Sequence, residues 1–149
     1  MDELNLPKDV WGKPSRSADG DHKEVDPSRF VLIVDDDPDL LEVTSFVIES
    51  EGVAVKTAKN GEEALTLLRA GTPPGLVLLD LMMPVMNGWE FLSEVAKDPV
   101  LSTIPVVVLT AAAHTHVPGA REVLFKPLDL KALLRAVEQY VRGDEDAGA

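Results

Sequence analysis

The chain contains no cysteine. That excludes disulfides, thiolate metal sites and a cysteine nucleophile. Positive charge is scarce: 14 Lys and Arg stand against 26 Asp and Glu, for a formal net charge of −12. A general nucleic-acid or membrane-surface binder needs a basic face, which this composition does not supply. No apolar run approaches the roughly 20 residues of a membrane-spanning helix. The first residues, Met1-Asp2-Glu3-Leu4-Asn5, lack the basic and apolar regions of a signal peptide. The expected setting is therefore a soluble, cytoplasmic one. There is no internal repeat, and no Gly-rich loop follows the first apolar run, which argues against a dinucleotide fold. What is present is a chain of 149 residues, 45% of them hydrophobic, enough for one packed domain but not comfortably two.

Residues 1–28 mix Pro, Gly, Ser, Asp and Lys without periodicity and are expected to be a disordered polar leader, with Trp11 incidental in it. Residues 143–149 are expected to be a disordered acidic tail. Between them, over 29–142, strand and helix patterns alternate. Phe30 to Val34 is a continuous apolar run, as a strand buried on both faces requires. Asp37-Pro38 follows as an N-cap with proline at the first helical position. Leu40, Leu41, Val43, Val47 and Ile48 then recur at helical spacing up to Gly52. Val53–Ala58 reads as a second strand. Asn60 with Glu63 resembles a capping box for a helix that buries Ala64, Leu67 and Leu68. Leu76 to Asp80 is a third strand. Asn87 caps a helix carrying Trp89, Phe91, Leu92 and Val95, which are expected to pack. Ile104 to Thr110 and Glu122 to Lys126 are strands four and five. Leu130, Leu133, Leu134, Val137 and Val141 mark a last helix ending at Gly143. The pattern predicts a flavodoxin-like α/β fold, a doubly wound (βα)5 three-layer sandwich with a parallel sheet of order 2-1-3-4-5.

That order places strands one and three side by side, at the point where ligands bind in such sheets. Asp35, Asp36 and Asp80 would then converge, with Thr110 and Lys126 at the ends of neighbouring strands. Three carboxylates in one place raise each other's pKa. A Mg2+ ion, or Mn2+, would offset that repulsion, since it takes oxygen ligands and keeps several waters. A lysine adds a point charge for phosphate oxygens, and a threonine hydroxyl adds a donor. These are the parts that stabilise a transferring phosphoryl group, for which a carboxylate can be the nucleophile.

Four segments carry a family resemblance: Val34-Asp35-Asp36-Asp37-Pro38, Asp80-Leu81-Met82-Met83-Pro84-Val85-Met86-Asn87-Gly88, Val108-Leu109-Thr110-Ala111, and Lys126-Pro127. In this order and at strand ends, they resemble a response-regulator receiver domain over roughly residues 29 to 142. The resemblance implies a phosphoacceptor of two-component or phosphorelay signalling, not an enzyme with an external substrate. It implies that Asp80 takes the phosphoryl group from a histidine kinase or a histidine phosphotransfer protein. It implies that Asp35, Asp36, Asp80 and the Met82 carbonyl hold the metal, and that Thr110 and the Ala111 amide bind phosphoryl oxygens with Lys126. It also implies a cis Lys126-Pro127 bond. Asp37 is expected to cap its helix, and His114 and His116 to be solvated.

The chain departs from the family in two places. The span between Thr110 and Lys126 is several residues short and is interrupted by Pro118-Gly119, so the helix there is expected to be vestigial. The family often carries an aromatic three residues before the lysine; here that residue is Val123. The usual dimer face is altered, so a monomer or weak dimer is expected. With no effector segment visible, the expected form is a stand-alone receiver acting on a downstream protein. Met82 and Ala112, two positions beyond Asp80 and Thr110, cannot orient a water, so the phosphorylated form is expected to persist. Two other readings compete. One is a phosphorylation-independent pseudo-receiver binding module. The other is a haloacid-dehalogenase-type phosphatase using Asp35-Asp36-Asp37, against which stand Asp39, where that family carries Thr or Val, and the lack of length for a cap domain.

Overall fold

The computed structural model describes residues 29–111 and 116–142. The readings of the leader, of the tail, of Ala112 and of His114 lie outside the described residues. Five strands alternate with helices: β1 (Val31–Val34), α1 (Pro38–Glu49), β2 (Val55–Ala58), α2 (Gly61–Ala70), β3 (Leu76–Asp80), α3 (Gly88–Ala96), β4 (Val106–Thr110), β5 (Glu122–Phe125) and α4 (Leu130–Val137). All neighbouring strands pair in parallel, in the order β2-β1-β3-β4-β5. This is the flavodoxin-like arrangement.

The sheet separates two cores. Leu32, Val34, Val77, Leu79, Val106 and Val108 face α2 and α3. Val31, Ile33, Leu76, Leu78, Val107 and Leu109 face α1 and α4. The three central strands are buried on both faces, which is why they read as unbroken apolar runs. The last strand residues emerge together at one rim, so an acid at such a position keeps its backbone in the ladder and its carboxylate at the opening.

The helices begin where the capping residues dictate. Asp37 accepts from the Asp39 and Leu40 amides, Asn60 from Glu63, and Asn87 from Glu90, whose carboxylate in turn accepts from the Asn87 amide. Among the described residues between β4 and β5 there is no helix. Instead, Val117 is buried in the α2–α3 core and a turn closes from the Ala120 amide to the Val117 carbonyl.

Some packing differs from the apolar pattern. The inward centre of α1 is Thr44 and Ile48, while Val43 is 53% exposed and Phe46 71% exposed. A hydroxyl residue on the axis shifts the buried stripe by one position, and apolar spacing does not register that. Leu67 and Trp89 lie on outward sides of α2 and α3, with Leu65 and Phe91 turned inward. Leu130 opens α4 beyond the reach of the core and is exposed. The second strand begins at Val55 rather than Val53. The last helix continues past Val137 as a π-helical turn, Glu138–Arg142. Arg29 donates to the Tyr140 carbonyl, and Arg142 to that of Glu51, tying this turn to the body of the fold.

Gly88 is required at the start of α3. A Cβ there would lie 2.8 Å from the Asp80 carbonyl oxygen and from the Leu81 Cα. Both are backbone atoms of the strand end and cannot swing aside. Gly88→Ala is expected to destabilise the chain by roughly 3 kcal/mol, as overpacking against a fixed wall does. Urea denaturation measures it.

Candidate functional site

The β3–α3 loop is shaped by one unusual residue. Val85 has φ 70°, and the Met86 amide donates to the Pro84 carbonyl across it at 2.7 Å. A bond from residue i+2 to residue i around a central residue of positive φ is a strained γ-turn. A β-branched side chain suits it poorly. The turn is held from both sides: the Gly61 amide donates to the Met86 carbonyl, and the Gly88 amide to the Leu81 carbonyl. Since Val85 is 73% exposed, its side chain contributes little packing in return. Val85→Gly is expected to stabilise the chain by about 1 kcal/mol, the relief of a left-handed residue less the glycine's unfolded-state entropy. A higher urea midpoint with unchanged slope is the readout.

Beyond the rim, the acids converge. Asp35 is 2% exposed and Asp80 7%. Asp35, Asp36 and Asp80 each offer a carboxylate oxygen, and these atoms lie within 4.8 Å of one another. The Lys126 ammonium stands 3.5 Å from Asp80 Oδ1 and 3.7 Å from Asp35 Oδ2. The Asp37 amide donates to Asp35 at 2.9 Å, and the Met82 amide to the Asp80 carboxylate. Thr110 is buried at the end of β4, and its carbonyl accepts from the Lys126 amide at 2.8 Å. Ala111 follows it at the exposed rim. The Lys126-Pro127 peptide is cis.

Burial pushes the Asp35 carboxyl above its ordinary value; the Asp37 amide and Lys126 oppose this, while Asp80 and Asp36 add to it. Burial also raises Asp80, against the pull of Lys126 and the Met82 amide, with Asp36 adding repulsion. Three carboxylates share one ammonium among the residues named. The donor set is all oxygen, compact and over-acidic, which fits a hard divalent cation. Asp37 is not part of it, because its carboxylate caps α1. That removes the second acid of the Asp-x-Asp phosphatase reading. His116 is exposed, as expected of a solvated loop histidine. The γ-turn at Val85 and the double contact of Lys126 were not foreseen; backbone handedness at a valine leaves no composition signal.

The chain matches the response regulator receiver domain family over residues 31–138. It is 38% identical over 125 residues to the DNA-binding response regulator MtrA of Mycolicibacterium smegmatis, covering 80% of this chain and 53% of that one. To Protein PilH of Pseudomonas aeruginosa it is 33% identical over 119 residues, covering 76% and 98%. Among solved structures, response regulator protein TrrA of Thermotoga maritima, in complex with Mg(2+)-BeF, aligns with a TM-score of 0.68 at 31% identity, over 76% of this chain and 99% of that one. The class defined by fold and rim is thus that of signalling receivers. The chain belongs to the response regulator receiver domain family. It spans about half the length of MtrA and nearly all of PilH. Among the described residues, no helix is long and apolar enough to cross a membrane.

Proposed function

We propose that this protein is the phosphoacceptor of a two-component or phosphorelay pathway, with Asp80 as the accepting residue. A carboxylate oxygen of Asp80 attacks the phosphorus of a phosphohistidine on a histidine kinase or phosphotransfer protein. The new O–P bond forms as the N–P bond breaks, and the electron pair returns to the imidazole nitrogen. Asp35, Asp36, Asp80 and the Met82 carbonyl would hold Mg2+ or Mn2+, which supplies charge neutralisation between the acids and the incoming phosphoryl oxygens. Lys126 offers its ammonium to one of those oxygens. The Thr110 hydroxyl and the Ala111 amide serve the others. The phosphorylated chain then acts by binding a downstream protein. It turns over no external substrate, so its only chemistry is on itself.

The observation that carries this reading is the placement of Lys126 within 3.5 Å of Asp80, beside acids from another strand. A packing or capping role for Asp80 needs neither the cation nor the neighbouring carboxylates. A pseudo-receiver module would not need the set to be complete. The test is incubation with acetyl phosphate or phosphoramidate. Mass spectrometry is expected to find one phosphoryl group on the Asp80 peptide, and chelation of divalent ions to prevent it. A label on another residue, or none, overturns the assignment. Met82, 68% exposed and thioether-tipped, offers no oxygen to align a water. The label is therefore expected to survive for minutes or longer, and loss within seconds would contradict that.

A further inference from the structure

All the sulfur in this chain is thioether. There is no cysteine, and of the four methionines three, Met82, Met83 and Met86, fall in the loop that follows Asp80. The three are not equivalent. Met83 is 8% exposed and belongs to the α2–α3 core. Met86 is partly buried against the same core, and its sulfur would lie 3.0 Å from a Cβ built on Gly61, so the backbone there covers it. Met82 is 68% exposed. An oxidant in solution must touch the sulfur it attacks, so within this loop it meets Met82 first.

The same residue borders the acid cluster. The Met82 amide donates to the Asp80 carboxylate, so the sulfur lies within one flexible side chain's length of that carboxylate. Asp80 shares the cluster with Asp35 and Asp36. As a thioether, Met82 has nothing to offer a hard cation, which takes carboxylate, carbonyl and water oxygens. A sulfoxide is different. It is neutral and strongly dipolar, and it ends in an oxygen that accepts hydrogen bonds. Mg2+ held by carboxylates keeps several of its waters, and those waters are donors.

We propose that Met82 is a site of oxidation by hydrogen peroxide, and that its sulfoxide tightens divalent-ion binding at Asp35, Asp36 and Asp80. The proposal rests on that cluster holding Mg2+ or Mn2+. In the oxidation, a sulfur lone pair attacks one oxygen of the peroxide. The S–O bond forms as the O–O bond breaks. The departing hydroxide takes the proton left on the new sulfoxide oxygen and leaves as water. Sulfur loses two electrons and the peroxide gains them. The sulfoxide oxygen then accepts from a metal-bound water, and one such neutral hydrogen bond is worth about a two- to tenfold change in affinity. The modification adds no charge, and it is reversible, since methionine sulfoxide is open to enzymatic reduction. Oxidising conditions thus leave more of the chain metal-loaded at a given Mg2+ concentration.

The test exposes the full chain to hydrogen peroxide without added metal, removes the peroxide, and titrates Mg2+ by calorimetry. Fragmentation of the peptides in the mass spectrometer locates the added oxygen. It is expected on Met82 ahead of Met83 and Met86, with Mg2+ affinity rising about two- to tenfold. Methionine sulfoxide reductase should return both to their starting values. Met82→Leu should bind Mg2+ equally before and after peroxide; should that variant fail to fold, the reductase arm on the unsubstituted chain makes the same comparison. An oxygen that reaches Met83 or Met86 first overturns the proposal. So does a Met82 sulfoxide that leaves Mg2+ affinity unchanged, or an affinity shift that survives Met82→Leu or reduction. Absence of Mg2+ binding by the untreated chain instead removes the metal reading, and the proposal with it.

Discussion

Asp80→Asn is expected to abolish phosphoryl incorporation from small donors, by more than about 10³-fold, since an amide is no nucleophile for this transfer. The same substitution is expected to make the metal-free chain more stable. Burial holds the Asp80 carboxyl above its ordinary value of 3.8, so the folded chain binds its proton more tightly than the unfolded chain. The contribution of this group therefore favours folding at low pH. It is lost as the pH rises from 3.8 through the raised folded value, and above that the ionised carboxylate is a fixed cost. Asparagine keeps the shape without the charge. At neutral pH and without divalent ions, the gain is expected to be about 1–2 kcal/mol, at the low end for replacing a buried charge with a neutral group. Near pH 3 the two chains should converge. Added Mg2+ should raise the wild-type midpoint, because binding to the native state alone stabilises it, and should do little for Asp80→Asn. Thermal melts across pH, with and without Mg2+, read all three effects. Equal stability of the two chains at pH 7 would show that the acid cluster carries no stored repulsion.

The legibility of this protein follows from where its information lies. The central strands were readable because burial on both faces leaves no polar residue in Val31–Val34, Leu76–Leu79 or Val106–Leu109. Asp35, Asp80, Thr110 and Lys126 stood out because each breaks or directly follows such a run. Strand order then brought them together, and the fold has that order. Caps at Asp37, Asn60 and Asn87 were readable because their side chains act on amides two or three residues on. What could not be read depends on relations that single residues do not announce. Thr44 takes a core position that an apolar count passes over. The γ-turn at Val85 has the handedness of a glycine turn with no glycine in it. The π-helical end at Tyr140 and Arg142 is fixed by bonds to Arg29 and Glu51, residues far away in the chain.

Lys126→Ala is expected to move two observables in opposite directions. The ammonium lies 3.5 Å from Asp80 and 3.7 Å from Asp35, so it occupies the field that a divalent cation would share. Removing it leaves Asp35, Asp36 and Asp80 with one positive charge fewer. Mg2+ affinity should then rise, by about tenfold, the equivalent of ~1.4 kcal/mol and well inside the Coulomb energy of such a pair at the effective dielectric of a protein rim. Phosphoryl incorporation should nevertheless slow by about 10²–10³-fold, the usual cost of deleting one preorganised charge from a transition-state site. Lys126→Arg keeps the charge but changes its shape and reach, so it should restore wild-type metal affinity better than it restores rate. A purely structural lysine predicts another pattern, in which affinity and rate fall together with the unfolding midpoint. Metal titration by calorimetry, phosphorylation kinetics at saturating Mg2+ and a urea curve on the same three proteins decide between the two. Weaker metal binding in Lys126→Ala with unaltered stability would place the ammonium outside the shared field and take away the electrostatic account of the site.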